Sequence, residues 1–281
     1  MPAPSRFDLV ALPVFARAFA AVLRGWSRLA LLLLLVVLVR ANDPPLTPLA
    51  LAEALVLFAL APELAAYCVL RAYAARAQIE ADALVVERAD RVARVPLASI
   101  SAIAPSRVPL PLPSLTLALR SGALFEMRLA LVNPDVLLGA LAEAGCAAAA
   151  SARERALVRY AAARAAFGRP WWLRWPTRIA AFALLPSCVA FSAHQHIAFG
   201  ALLGEYYLMG ARAWLLSAWM HYATALLYLV LWSGAWRIVC ELASLLGARA
   251  RAASVRILAE HVTSAIYYGS VPTLLAARFL G

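Results

Sequence analysis

Ser114-Leu115-Thr116-Leu117-Ala118-Leu119-Arg120-Ser121-Gly122 alternates large apolar residues with small or polar ones and then runs into a turn signal. Leu115, Leu117 and Leu119 point one way and Ser114, Thr116 and Ala118 the other, which is the period of a half-buried β-strand. Arg120-Ser121-Gly122 predicts a hairpin onto Ala123–Leu131, where Phe125, Met127, Leu129 and Leu131 oppose Glu126 and Arg128. Asn133 is a good N-cap with Pro134 in the first helical position, and the helix through Val136, Leu137, Leu138 and Leu141 should end at Gly145. Working backwards, Ile79, Leu84-Val85-Val86, Val92 and Val95 form short β-prone runs. Turn candidates at Ala81-Asp82 and Ala89-Asp90-Arg91 separate them. Pro105, Pro109, Pro111 and Pro113 make the connection before Ser114 extended and polyproline-like. It could bind a partner or simply join strands. Residues 76–146 therefore read as a small soluble β-domain closed by one helix.

Nothing else in the chain reads as soluble. The 281 residues are 64% hydrophobic and 15% charged, with mean hydropathy +0.79, whereas a soluble domain carries about a quarter charged residues. All 26 basic residues are Arg, which fits a coding bias better than phosphate binding, so the net charge of +11 argues only weakly for nucleic acid. Cys68, Cys146, Cys188 and Cys240 are widely spaced and support neither a disulfide framework nor a zinc site.

The first apolar block, Leu29–Val39, extends back to Val22 if Arg24 and Arg28 snorkel. It reads as an uncleaved anchor in preference to a signal peptide ending near Ala41. Asn42-Asp43-Pro44-Pro45 predicts a tight turn into a second span, Leu49 to Leu70. Ile179–Phe199 and Ala213–Trp232 are the third and fourth. Val262–Leu280 is a fifth candidate, interrupted by Gly269-Ser270-Val271-Pro272 and so either kinked or interfacial. Four arginines precede the first apolar block, fifteen lie in 71–178 and four in 233–260. The two short loops on the other side hold only Arg40 and Arg212. Positive-inside bias then predicts a cytoplasmic N-terminus and a cytoplasmic insert in a cell inner membrane.

Strands closed by one C-terminal helix resemble the pleckstrin-homology-like order, and the region is similar to bacterial PH-like domains found beside membrane hairpins. The resemblance rests on Ile79-Glu80-Ala81-Asp82-Ala83-Leu84-Val85-Val86, Val95-Pro96-Leu97-Ala98-Ser99-Ile100, Leu117-Ala118-Leu119-Arg120-Ser121-Gly122 and Asn133-Pro134-Asp135. With the preceding hairpin it covers roughly residues 49–146; the proline-rich connection departs from it. The resemblance implies a scaffold or interaction role, with lipid headgroups as the familiar PH ligand. Arg88, Arg91 and Arg94 surround one turn and are the candidates for a basic pocket, or for a solvated or membrane-facing turn.

The expected fold is thus an α-helical polytopic membrane protein of four to five transmembrane helices with an inserted α+β PH-like domain, a small β-barrel or sandwich closed by one helix. Its expected parts are an N-terminal tail and hairpin (1–75), the domain (76–146), a basic juxtamembrane segment (147–178) and a C-terminal membrane domain (179–281). In the third part, a helix is predicted over Ser151–Phe167 with Arg153, Arg155, Arg159 and Arg164. Trp171, Trp172, Arg174 and Trp175 follow as an interfacial belt, indole rings and guanidinium meeting the headgroup zone.

The chemistry-bearing residues gather at the opposite end. Glu53 lies near the outer end of span two, His194 and His196 near that of span three, and Glu205 and Arg212 in the outer loop. His221 lies about 12 Å into span four. Ionisable groups at such depth are costly and usually face a cavity or a bundle interior. Three readings stay open: b-type haem between His221 and His194 or His196; a metal-dependent lipid-processing site with Glu53 or Glu205 as base; or hydrogen bonds that merely join helices. His194 and His196 are about 200° apart on a helix, and no HExxH, phosphate loop or GxSxG accompanies them. Glu63 could reach Arg71 or cytoplasmic water, and Glu241 could pair with Arg237 one turn away. The function expected is a scaffold or accessory protein whose insert binds a protein partner or lipid, with no nucleic acid and no cofactor. An integral-membrane enzyme or a cofactor-binding protein is the alternative.

Overall fold

A computed structural model of the chain describes residues 6–40, 47–80 and 82–280. In chain order, strand β1 (Arg6–Leu12) leads into α1 (Val14–Arg40). Helix α2 (Pro48–Leu55) continues through a π-helical turn, Val56–Leu60, into α3 (Ala61–Ala72). Strands β2 (Ala74–Glu80), β3 (Ala83–Arg88), β4 (Arg91–Pro96), β5 (Ile100–Pro105), β6 (Ser114–Leu119) and β7 (Arg128–Ala130) follow. Then come α4 (Pro134–Glu143), α5 (Ala147–Arg153), α6 (Ala156–Ala166), α7 (Phe182–Phe199), α8 (Gly204–Met209) and α9 (Ala211–Leu280). The predicted turn at residues 42–45 lies outside the described residues, as does Ala81.

Among the described residues, four helical stretches are long and apolar enough to cross a membrane: Val14–Arg40, Pro48–Ala72, Pro176–Phe199 and Ala211–Ala276. The last is two helices in one, because Arg251 (φ −131°, ψ 71°) breaks α9. Its second arm carries Pro272 without ending there, so the fifth candidate segment is helical. Prolines also account for the irregular turns. Pro62 has no N–H for the carbonyl four residues back, and the turn just before it, Val56–Leu60, widens to π geometry. Within that turn the Ala59 carbonyl accepts a hydrogen bond from the buried Ser27 hydroxyl at 2.8 Å.

The chain forms two compact units. The first comprises residues 1–29, 57–168 and 241–259. Its centre is a curled seven-stranded antiparallel sheet, in the order β4-β3-β2-β1-β7-β6-β5. Ser114–Leu119 is a strand as its alternation predicts, with Leu115 and Leu117 fully buried. Asn133 caps α4, its side chain accepting from the Asp135 amide, and Gly145 follows the helix at φ +90°. Leu137, Leu138 and Leu141 of α4 close the core over Leu84, Val86, Leu115, Leu117 and Leu129.

Three elements differ from expectation. Residues 6–12, read as a tail, are the middle strand, pairing with β2 from Arg6↔Gln78 to Val10↔Ala74 and with β7 from Val10↔Ala130 to Leu12↔Arg128. The strand expected over Ala123–Leu131 is regular only at Arg128–Ala130; Phe125 and Met127 pack on the core from outside the ladder. The helix expected over Ser151–Phe167 is two, because Arg155 is extended (φ −67°, ψ 139°). That break lets α5 lie on α4 while α6 turns Leu157, Tyr160 and Ala161 towards Ala248 of α9.

Around Arg251 the arms of α9 come close enough that a Cβ on Gly247 would sit 2.4 Å from Val255 Cγ1. Gly247→Leu should therefore destabilise the detergent-solubilised protein by about 1–3 kcal/mol, the usual effect of overpacking. Unchanged thermal unfolding would mean that the arms can separate at no cost.

The second unit comprises residues 30–56, 169–240 and 260–281. Ile179, Ala183, Leu229 and Tyr267 form a buried cluster joining α7 to both arms of α9. Tyr267 donates to the Arg178 carbonyl at 2.6 Å, and the Arg178 guanidinium lies 4.4 Å from its ring centroid. Arg237 and Glu260 pair between the arms at 2.6 Å.

Candidate functional site

Within the second unit, α7 carries both His194 and His196, and both are exposed. The His194 ring centroid lies 5.1 Å from that of His221 with the planes tilted 42°, while Phe191 meets the other ring edge-on at 5.7 Å. The Nδ1 atom of His221 is 2.8 Å from the Ser217 carbonyl, one turn earlier in α9. In the neutral ring Nδ1 therefore donates there and Nε2 is left as the acceptor. The two imidazoles therefore meet each other directly, as tilted neighbours.

Glu205 is 7% exposed, but its partner is an amide, not an imidazole. The Gln195 side chain donates to Glu205 Oε2, and the Glu205 backbone N–H returns a hydrogen bond to Gln195 Oε1 at 3.3 Å. This reciprocal tie fixes α8 against the end of α7. Gln195, fully buried, is the residue that sequence reasoning missed, although an amide between two histidines in an apolar helix was a visible signal. Glu53 is exposed on α2. Among the described residues no three His, Cys, Asp or Glu side chains are placed to hold one ion. Of the five candidates, the structure brings His194 and His221 together and ties Glu205 to Gln195. The Gln195 amide thus holds one oxygen of the Glu205 carboxylate in a bond that joins two helices.

The arginines of the β3–β4 turn are in the first unit, and each meets a carboxylate. Arg88 forks onto Asp90 beneath the Tyr73 ring. That fork and the adjacent charge hold the Asp90 carboxyl below its usual value and the Arg88 guanidinium above its own. Arg91 lies 3.8 Å from Asp90 and 4.0 Å from Glu126, and Arg94 lies 3.6 Å from Glu80 and 3.7 Å from Asp82. A pocket of about 210 Å³ beside the turn is lined by Glu126 as well as by Arg88 and Arg91. The turn is therefore close to electrically balanced, which is poor footing for a phosphate.

Two of the basic residues that follow the sheet have structural partners. Arg153 grips Asp135 in the first turn of α4 through two bonds, at 2.7 and 3.1 Å. Arg159 donates to the Arg249 carbonyl, at the end of the first arm of α9, at 3.0 Å. Glu63 meets Arg24 at 2.9 Å, a partner other than the Arg71 or water that its position suggested. In the second unit Trp171, Trp172 and Trp175 are exposed, as is Arg174.

The joint between sheet and hairpin is the most specific piece of construction in the first unit. Pro13 alone separates β1 from α1, and Tyr73 alone separates α3 from β2. The Ala11 amide donates to the Tyr73 carbonyl at 3.0 Å, bridging the two connections. Leu12, Ala16, Leu70 and Ala130 form a buried cluster beneath them, drawn from β1, α1, α3 and β7. The hairpin is thus an insertion between two neighbouring strands of one sheet. Compared with protein-family models, curated proteins and solved structures, the chain matches none.

Proposed function

We propose that this chain is a polytopic inner-membrane scaffold or accessory protein, whose PH-like sheet domain is cytoplasmic and binds a protein partner or lipid headgroups. The observation that carries the reading is the joint. A domain that searches for ligands at a distance is hung on a flexible linker of several residues. Here single-residue connections, a bridging hydrogen bond and a buried cluster set the angle between the sheet and the nearer ends of α1 and α3. Such a graft presents one face of the domain at one height above the bilayer, which is what a scaffold requires. The distribution of arginine supports the cytoplasmic side for it, and the exposed Trp171, Trp172 and Trp175 suit a headgroup layer.

Two cysteine experiments test the reading, in a background with Cys68 and Cys188 replaced by Ala. Ser121→Cys should react with a membrane-impermeant maleimide only after the cells are opened, and Tyr207→Cys should react in intact cells. The reverse pattern would sink the orientation. Spin labels at Ala18→Cys and Ser121→Cys should give one narrow distance distribution, and a broad one would show that the domain swings. Purified protein should also carry neither haem absorption bands nor a stoichiometric metal ion; either would restore the cofactor alternative.

A further inference from the structure

A cleft of about 720 Å³ in the first unit is lined by Arg17 and Val22 of α1, Arg107 and Leu110 of the proline-rich connection, Leu124, and Arg128 of β7. Unlike the β3–β4 turn, it has three arginines and no carboxylate among its lining residues. Arg17 and Arg128 are half-buried, and each has a buried Nε–H without a hydrogen-bond partner. What they do contact is neutral: Arg17 Nη2 is 3.5 Å from the Val108 carbonyl, at the edge of bonding range, and Arg128 Nη1 donates to the Thr116 hydroxyl. The two guanidinium groups act on each other as like charges. Two cations held together in a partly desolvated cleft are unfavourable until an anion joins them, and guanidinium forks suit phosphate oxygens.

The other wall is apolar, with Val22, Leu110 and Leu124. Val22 is five residues beyond Arg17, about 7.5 Å further along the helix axis, and Phe15, Phe19 and Val22 of the same helix are all exposed. Charge at one end and hydrocarbon surface leading away from it along an apolar helix define an amphiphile. We infer that this cleft binds an anionic phospholipid of the adjoining leaflet, with its phosphate among Arg17, Arg107 and Arg128 and an acyl chain running past Val22. The leaflet assignment rests on the scaffold topology proposed above; the binding chemistry does not.

The test titrates the purified full-length chain in neutral detergent with phosphatidylglycerol, with phosphatidylcholine and with inorganic phosphate, reading the thermal unfolding midpoint. Phosphatidylglycerol should raise it saturably, and the other two should not. Arg17→Gln/Arg128→Gln should weaken the apparent affinity by about tenfold or more, since two charge-assisted contacts are lost. Arg88→Gln/Arg91→Gln should leave it unchanged. Should the double variant fail to fold, Leu124→Trp, at an exposed position, fills the cleft and should abolish the phosphatidylglycerol response. Equal responses to phosphatidylcholine would overturn the anion site, and an equal response to inorganic phosphate would overturn the lipid assignment. An unchanged response in Leu124→Trp would overturn the location. Reversed labelling at Ser121→Cys with intact phosphatidylglycerol binding would remove the topology and leave this site standing, so the two failures are distinguishable.

Discussion

Glu241→Ala should lower the unfolding midpoint of the solubilised protein by about 10 °C, more than any exposed substitution in the same helix. Glu241 accepts from Arg256 Nη1 at 2.9 Å and Nη2 at 3.3 Å, receives the Tyr160 hydroxyl, and has Arg164 at 3.8 Å. Arg256 is only 1% exposed, so removing this carboxylate takes two charge-assisted bonds from a guanidinium that is shielded from water. Truncating one partner of a buried pair costs about 3–5 kcal/mol, and in a chain of this size each kcal/mol is about 2–4 °C. Replacing both partners by Met should recover much of the loss, because an apolar pair carries no desolvation penalty. Wild-type unfolding in Glu241→Ala would mean that the rung is hydrated and that its burial does not matter.

The same cluster predicts an alkaline limit. Burial and the hydrogen bond to Glu241 push the Tyr160 hydroxyl up to about 12, against the pull of Arg164 and Arg256. The folded state therefore holds its proton beyond the unfolded value of about 10. A group raised in this way contributes stability that is complete below pH about 10 and is lost as the pH climbs towards about 12. Tyr160→Phe should be less stable than wild type at neutral pH and should lose less between those values. A parallel loss in both proteins would place the titrating group elsewhere.

What the sequence made legible was local. Ser114–Leu119 needed only its own alternation, and Asn133-Pro134 only capping chemistry. What it hid was brought together by the fold. Arg17, Arg107 and Arg128 come from a helix, a loop and a strand, with nothing in their spacing to unite them. Arg88, Arg91 and Arg94 looked like a basic pocket because they are neighbours in sequence. Their acids arrive from β2, from the turns and from the β6–β7 connection. Glu241 was readable as an i–4 partner of Arg237. Its bond to Arg256 depends on the reversal at Arg251, where no Gly or Pro marks the break. Of the three candidate histidines, His194 and His221 lie with ring centroids 5.1 Å apart, a neighbourhood that only the packing of α7 on α9 reveals. That Glu205 belongs to Gln195 required the short turn of α8 to be seen.

Strand β1 gives the sharpest test of the architecture. Phe7, Leu9 and Ala11 alternate, but Val10 and Leu12 blur the pattern, and the partner strand begins at Ala74 on the far side of a long hairpin. Ala11 is fully buried in the sheet core, opposite Leu129 of β7. Ala11→Asp would place a carboxyl group there without a partner. Such burial costs several kcal/mol even after the group takes up a proton, a large part of the roughly 5–15 kcal/mol that holds a domain folded. The two halves of the sheet, β2–β4 and β5–β7, meet only through β1 in the strand order, so the damage should spread to both. Because every basic residue is Arg, trypsin reports this directly. Arg76, Arg88, Arg94 and Arg120 should be cleaved in Ala11→Asp under conditions that spare the wild type. Val92→Asp, at a position 70% exposed in β4, should behave as wild type, within about 0.5 kcal/mol. If residues 6–12 were a tail, Ala11→Asp would be as silent as Val92→Asp, and the graft of sheet onto hairpin would lose the strand that makes it.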